Sequence, residues 1–108
     1  MQPSEILKEL YDLTKTSSKG VEALYEAEQK LAEAEHALDT IESKAFLNAD
    51  GTVADRQALA RLEAADTRLE RDLARASVNR IKTKMRTIES AIMAHATMSK
   101  LMQAEMKL

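Results

Sequence analysis

Catalysis in this 108-residue chain has few residues to stand on. The histidines are two, His36 and His95, and cysteine is absent. Histidine works as a base or ligand only with a second group in reach. His36 lies among Glu33 and Glu35 on a charged helical face, and His95 falls inside an apolar repeat, so a surface role and a packing role are expected. Without cysteine there is neither thiolate nor disulfide chemistry, and an oxidising compartment has no support. No His or Cys cluster has metal-ligand spacing, and no serine sits in a nucleophile motif. The pairs Glu26/Glu28 and Glu33/Glu35 lie on an exposed helix face, with no pocket to raise a carboxyl pKa. Asn48-Ala49-Asp50-Gly51-Thr52 has calcium-loop residue types but lacks the bidentate acid such a loop needs at its twelfth position. The expectation is a protein that is not an enzyme and uses no cofactor, metal or small-molecule substrate.

Charge gives a second kind of site. Arg75, Arg80, Lys82, Lys84 and Arg86 follow one another with no acid between Leu73 and Ile88. Such a run suits phosphate-backbone contacts, which need point charges and no sequence code. No aromatic interrupts it, so a base-stacking platform is not expected. A solvated face is the plainer reading of the same run. The net charge of −2 also conceals a division: residues 1–50 hold eleven acids and five lysines, whereas 51–108 hold seven acids and eleven bases. Two antiparallel helices cut from these halves attract one another.

The elements that position these residues are helices. Ala, Leu, Glu, Lys, Arg, Gln and Met dominate, and all favour helix. Two glycines, one proline and three aromatics leave little for turns or a bulky core. Ser4 is a candidate N-cap for a first arm over about 4–46. Along it Ile6, Leu10, Leu13, Ser17, Gly20, Leu24, Ala27, Leu31, Ala34, Leu38, Ile41 and Ala45 recur with 4-3 spacing, the coiled-coil period. Thr14–Gly20 weakens this repeat, and a kink or break is expected there. A turn follows over 47–52, where Gly51 supplies positive φ and Thr52 with Asp55 fits a capping box.

A second arm spans about 53–107 without Pro or Gly. The leucines suggest its seam: Leu59, Leu62, Asp66, Leu69, Leu73, then Ile81, Met85, Ile88, Ile92, His95, Ser99, Met102 and Met106. Leu73 to Ile81 spans eight residues where a heptad gives seven, which reads as a stutter near 76–80. A turn near residue 50 sets positions summing to about 100 face to face. Lys15 and Lys19 then approach the basic run, and residues from about 98 overhang.

The fold class expected is all-α: a long antiparallel, coiled-coil-like helical hairpin forming one domain. A two-helix seam buries little for a chain of this size, so a dimer making a four-helix bundle is the natural completion. Interface candidates are Leu24, Leu31, Leu38, Leu69, Leu73, Ile81, Met85, Ile88, Ile92, Met98, Met102 and Met106. Met98, Met102 and Met106 repeat every fourth residue and make an adaptable apolar stripe. No apolar run is long enough to span a membrane, and Met1–Glu5 carries no signal-peptide pattern, so a cytoplasmic location is expected.

From Gly51-Thr52-Val53-Ala54-Asp55-Arg56 through the charged stretch Arg68–Arg86 to Ile88-Glu89-Ser90-Ala91-Ile92, the chain resembles small coiled-coil proteins of tailed-phage early or recombination gene clusters. The resemblance covers about residues 40–102. It implies an accessory role in DNA recombination or replication within a bacterial host's cytoplasm, beside a protein partner. DNA-backbone contact would run through Lys15, Lys19, Arg75, Arg80, Lys82, Lys84 and Arg86. The competing expectation is a structural or scaffolding coiled coil without nucleic-acid contact, which uses the Met-rich stripe to bind its partner.

Overall fold

A computed structural model describes residues 2–107. The described residues form three helices and no strand: α1 over Pro3–Asn48, α2 over Val53–Glu63 and α3 over Ala65–Lys107. No helix among them is long and apolar enough to cross a membrane.

α1 begins one residue before the expected cap. Pro3 occupies its first turn, where the missing N–H costs nothing. The Gln2 carbonyl accepts from the N–H groups of Glu5 and Ile6, and the Gln2 N–H donates to the Glu5 carboxylate at 3.4 Å. Of the kink or break expected at 14–20, no break occurs: α1 is one continuous helix from Pro3 to Asn48. The hydroxyls of Thr14 and Thr16 donate to the carbonyls of Leu10 and Asp12, each at 2.9 Å, so these residues satisfy themselves within the helix. Gly20 serves packing: a Cβ there would stand 3.3 Å from Met85 Cγ.

The turn between α1 and α2 is locally determined. Gly51 takes φ +108°, open to glycine at little cost. Thr52 Oγ1 accepts from the Asp55 N–H at 3.2 Å, and the Thr52 N–H donates to Asp55 Oδ2 at 3.4 Å, completing the capping box. α1 has no basic residue in its last turn, and Arg56 supplies one from α2. Its Nε and Nη2 both donate to the Phe46 carbonyl, at 3.1 and 3.0 Å, and its guanidinium lies 4.3 Å from the Phe46 ring centroid. One side chain thus satisfies an orphan carbonyl and opposes the negative helix end.

The chain divides into two units, one of residues 25–79 and one of residues 2–24 with 80–107. In the 25–79 unit, α1 and α2–α3 run antiparallel, as the pairs Phe46–Arg56, Glu42–Arg68 and Glu35–Arg75 require. α1 presents Ala27, Leu31, Ala34, Leu38, Ile41 and Ala45, all buried or half-buried. The opposing seam differs from the leucine reading. Ala60, Ala64 and Val78 are buried and Thr67, Arg71 and Ala74 half-buried, whereas Leu59, Leu62, Leu69 and Leu73 are exposed and so is Asp66. The inward face is thus mostly small side chains, which let two helix backbones come close.

This phase removes the stutter. Ala60, Ala64, Thr67, Arg71, Ala74 and Val78 continue in 4-3 steps into Ile81, Met85, Ile88, Ile92, His95, Ser99 and Met102, all buried or half-buried. A single-residue irregularity occurs instead at Ala64, with φ −90° and ψ 6°, between α2 and α3. The Arg61 carbonyl there accepts from Arg68 Nη1 at 3.3 Å, while Arg68 Nη2 pairs with Glu42 of α1. The arginine ties the irregular turn to the neighbouring helix.

In the unit of residues 2–24 and 80–107, Ile6, Leu10, Leu13, Ser17, Gly20 and Leu24 face Ile81 to Met102, and Ile6 is wholly buried. Ser99 and Met102 are half-buried here, so the tail does not overhang from residue 98; Met106 is exposed.

The small-residue seam makes a direct prediction. Ala64 is 0% exposed and its neighbour Ala65 is exposed. Ala64→Leu forces extra methylenes into the close approach and should destabilise by about 1–3 kcal/mol. Ala65→Leu should stay within about 0.5 kcal/mol. Thermal or denaturant unfolding of both variants checks this; equal effects would place the seam elsewhere.

Candidate functional site

α2–α3 carries two apolar stripes. One is the seam against α1. The other is Leu59, Leu62, Leu69 and Leu73, also in 3-4 spacing around Asp66 and exposed by 50, 75, 58 and 62% respectively. At about 100° per residue the two stripes lie roughly 140° apart around the helix. A helix covered on one side needs only one such stripe, and the second is left uncovered, with Asp66 in its midst. Beside Leu59 and Leu62 is an open groove of about 350 Å³, lined also by Ala45, Asn48, Ala49 and Glu63.

A larger groove of about 770 Å³ lies along the same unit between Asp39, Glu42, Phe46, Gln57, Arg61, Arg68 and their neighbours. Three of its charges have partners: Arg68 holds Glu42 and the Arg61 carbonyl, and Arg71 pairs with Asp72 at 2.7 Å. The described residues contain no group of His, Cys, Asp and Glu able to hold a metal ion.

The basic residues do not gather on one face. Arg75 belongs to the 25–79 unit, where it pairs with Glu35 at 3.5 Å. Lys15, Lys19, Arg80, Lys82, Lys84 and Arg86 belong to the other unit, and all are exposed. Seam residues fix the helical phase there. Arg80 and Lys84 flank the seam on one side, Lys82 and Arg86 flank it on the other, and Lys15 and Lys19 point away from it on α1. The six therefore surround the helix pair. Among the described residues, none of Lys15, Lys19, Arg80, Lys84 and Arg86 makes an ion pair. That unit holds nine bases against six acids, and the 25–79 unit holds seven bases against twelve acids.

No family model, curated protein or solved structure matches this chain. The Gly51–Arg56 motif that carries the phage-cluster resemblance is spent on structure: Gly51 turns the chain, Thr52 and Asp55 cap α2, and Arg56 caps α1.

The methionines divide as well. Met85 and Met102 are half-buried in the seam, while Met93, Met98 and Met106 are exposed, with Leu101 beside them. The four-residue repeat Met98, Met102, Met106 is thus no single outward stripe.

His95 lies between two hydrogen-bond acceptors. Its Nδ1 lies 2.8 Å from the Ala91 carbonyl and its Nε2 lies 2.6 Å from Glu9 Oε2 on α1. A neutral imidazole can donate from only one nitrogen, so two acceptors select the imidazolium. The Ala91 carbonyl, then the hydrogen bond and charge of Glu9, raise its pKa above the usual 6.5, and partial burial opposes them. Glu9, Asp12, Leu13, Thr16 and Ala91 line the shallow groove around it. Because the folded pKa is raised, the contribution to stability is fully present below the unfolded value and fades as pH rises through the folded one. The His95 contribution to the melting temperature should therefore decline as pH rises above 6.5. His95→Gln should remove that component of the slope. An unchanged slope would show that the His95–Glu9 pair does not hold the helices.

Proposed function

We propose that this chain is a non-enzymatic helical interaction protein that works by association through the outer face of α2–α3. The observation that carries this reading is the second apolar stripe. Leu59, Leu62, Leu69 and Leu73 are all at least half exposed, although their spacing is that of a packed helix face. Four leucines in one stripe are more than scattered surface apolarity. The accessory role in phage-type recombination or replication implied by the resemblance is one setting for such a protein. A scaffolding coiled coil is another.

A second reading, DNA-backbone contact, draws on the exposed and unpaired Lys15, Lys19, Arg80, Lys84 and Arg86. Their spread around the helices limits it. A duplex approaching from one side meets two or three of these charges, and the slope of log affinity against log salt should be about −2 to −3. A run of five to seven charges on one face would give about −4 to −6 instead.

Light-scattering mass over a wide concentration range, with anisotropy titration of single- and double-stranded DNA at two salt concentrations, tests both readings. Association of the chain with itself, with DNA binding weak or shallow in salt, is the expected result. A mass of one chain throughout, with tight DNA binding and a steep salt slope, would overturn the order of the two readings.

A further inference from the structure

We propose that Leu59, Leu62, Leu69 and Leu73 form the face on which a second copy of this chain packs, with its α2–α3 antiparallel to the first. The inference rests on the association reading above and names its partner. Three observations carry it.

The first is area. Leucines exposed by half to three-quarters each offer roughly 60–100 Å² of apolar surface, so the stripe supplies roughly 300–400 Å². A standard interface takes about 800 Å² from each partner, a little over half of it apolar. The stripe alone comes close to that apolar share.

The second is self-complementarity. The leucine knobs of α2 border a groove whose lining includes Ala45 and Ala49 at the end of α1. Projecting leucines and a recess therefore occur on one surface. An isologous pair uses each twice, once from each copy.

The third is direction. Asp66 interrupts the stripe and is exposed. A parallel, in-register pair would set the two Asp66 carboxylates against each other in an apolar seam, where like charges are costly. An antiparallel pair avoids this. Placing Leu62 opposite Leu73 of the partner subunit brings Asp66 opposite Leu69 of the partner subunit. The two carboxylates then occupy different layers, each near the interface margin.

The absence of cysteine makes the test clean. Leu62→Cys and Leu73→Cys are prepared as separate variants, then oxidised alone and as a mixture. The expected product is a 62–73 disulfide in the mixture, exceeding either same-site disulfide by about tenfold. Strong same-site disulfides in each variant alone would mean a parallel pair and overturn the proposal. No cross-link in any sample would also overturn it.

In parallel, native mass should be twice 12.0 kDa and should halve in the double variant Leu69→Glu, Leu73→Glu with helical circular dichroism retained. The pair Met98→Glu, Met106→Glu should leave it unchanged. A Leu69→Glu, Leu73→Glu variant that stays dimeric, or a dimer lost through the methionines, overturns the stripe as the interface. If the glutamate variant loses helicity, the disulfide result decides. A dimer without the 62–73 cross-link would sink this face while leaving association standing; a single-chain mass at every concentration would sink both.

Discussion

α1 can cover only one side of the helices it runs against, and everything else follows from which side that is. In the 25–79 unit it covers Ala60, Ala64, Thr67, Arg71, Ala74 and Val78, so the leucines one or two residues away in sequence are left facing solvent. Small residues win the inward position because close backbone approach brings many weak contacts along the whole seam, and a leucine layer would hold the helices apart. The cost is a thin core. The buried set in that unit is Ala27, Leu38, Ala45, Ala60, Ala64 and Val78, four of them alanine. Such a core leaves much of the unit's apolar surface uncovered, and the outer leucines are where it is concentrated.

Polar contacts fix the register that the small seam alone would specify weakly. Arg56 clamps the Phe46 carbonyl near the turn, Arg68 bridges Glu42 and the Arg61 carbonyl, and Arg75 reaches Glu35. Each is a modest contribution at a partly exposed site. Their value is geometric: they sit at successive heights and favour one alignment of the helices. In the other unit the Glu9–His95 contact has a comparable place, with the difference that its strength depends on a proton.

Much of the helical organisation is legible from composition and spacing. The absence of strand signals, the helix-forming residues and the turn chemistry of Gly51, Thr52 and Asp55 are local properties, and local rules find them. The α1 repeat from Ile6 to Ala45 is legible too, because a single 4-3 pattern runs through it. α2–α3 carries two such patterns offset by one or two residues, and hydrophobicity alone points to the leucines. Continuity would have pointed to the alanines, since only their pattern joins Ile81 without an eight-residue step. At 14–20 the helix is unbroken, with the Thr14 and Thr16 hydroxyls bonded within it and Gly20 packed against Met85. The capping of α1 by Arg56 and the roles of Arg68 depend on contacts across the hairpin, and no spacing rule announces them. The basic run was legible as charge but not as a face, because a face requires a helical phase and the phase came from the seam.

The claim on which this account turns is the phase of α2–α3 against α1, and intrachain methyl contacts read it most directly. In protein with labelled alanine, leucine, isoleucine and valine methyls diluted into unlabelled chains, only contacts within one molecule are observed. The account predicts nuclear Overhauser effects from Ala60, Ala64 and Val78 to methyls of α1, with none from Leu69 and Leu73 to that helix. Contacts from Leu69 and Leu73 to α1, with the alanine methyls silent, would contradict it.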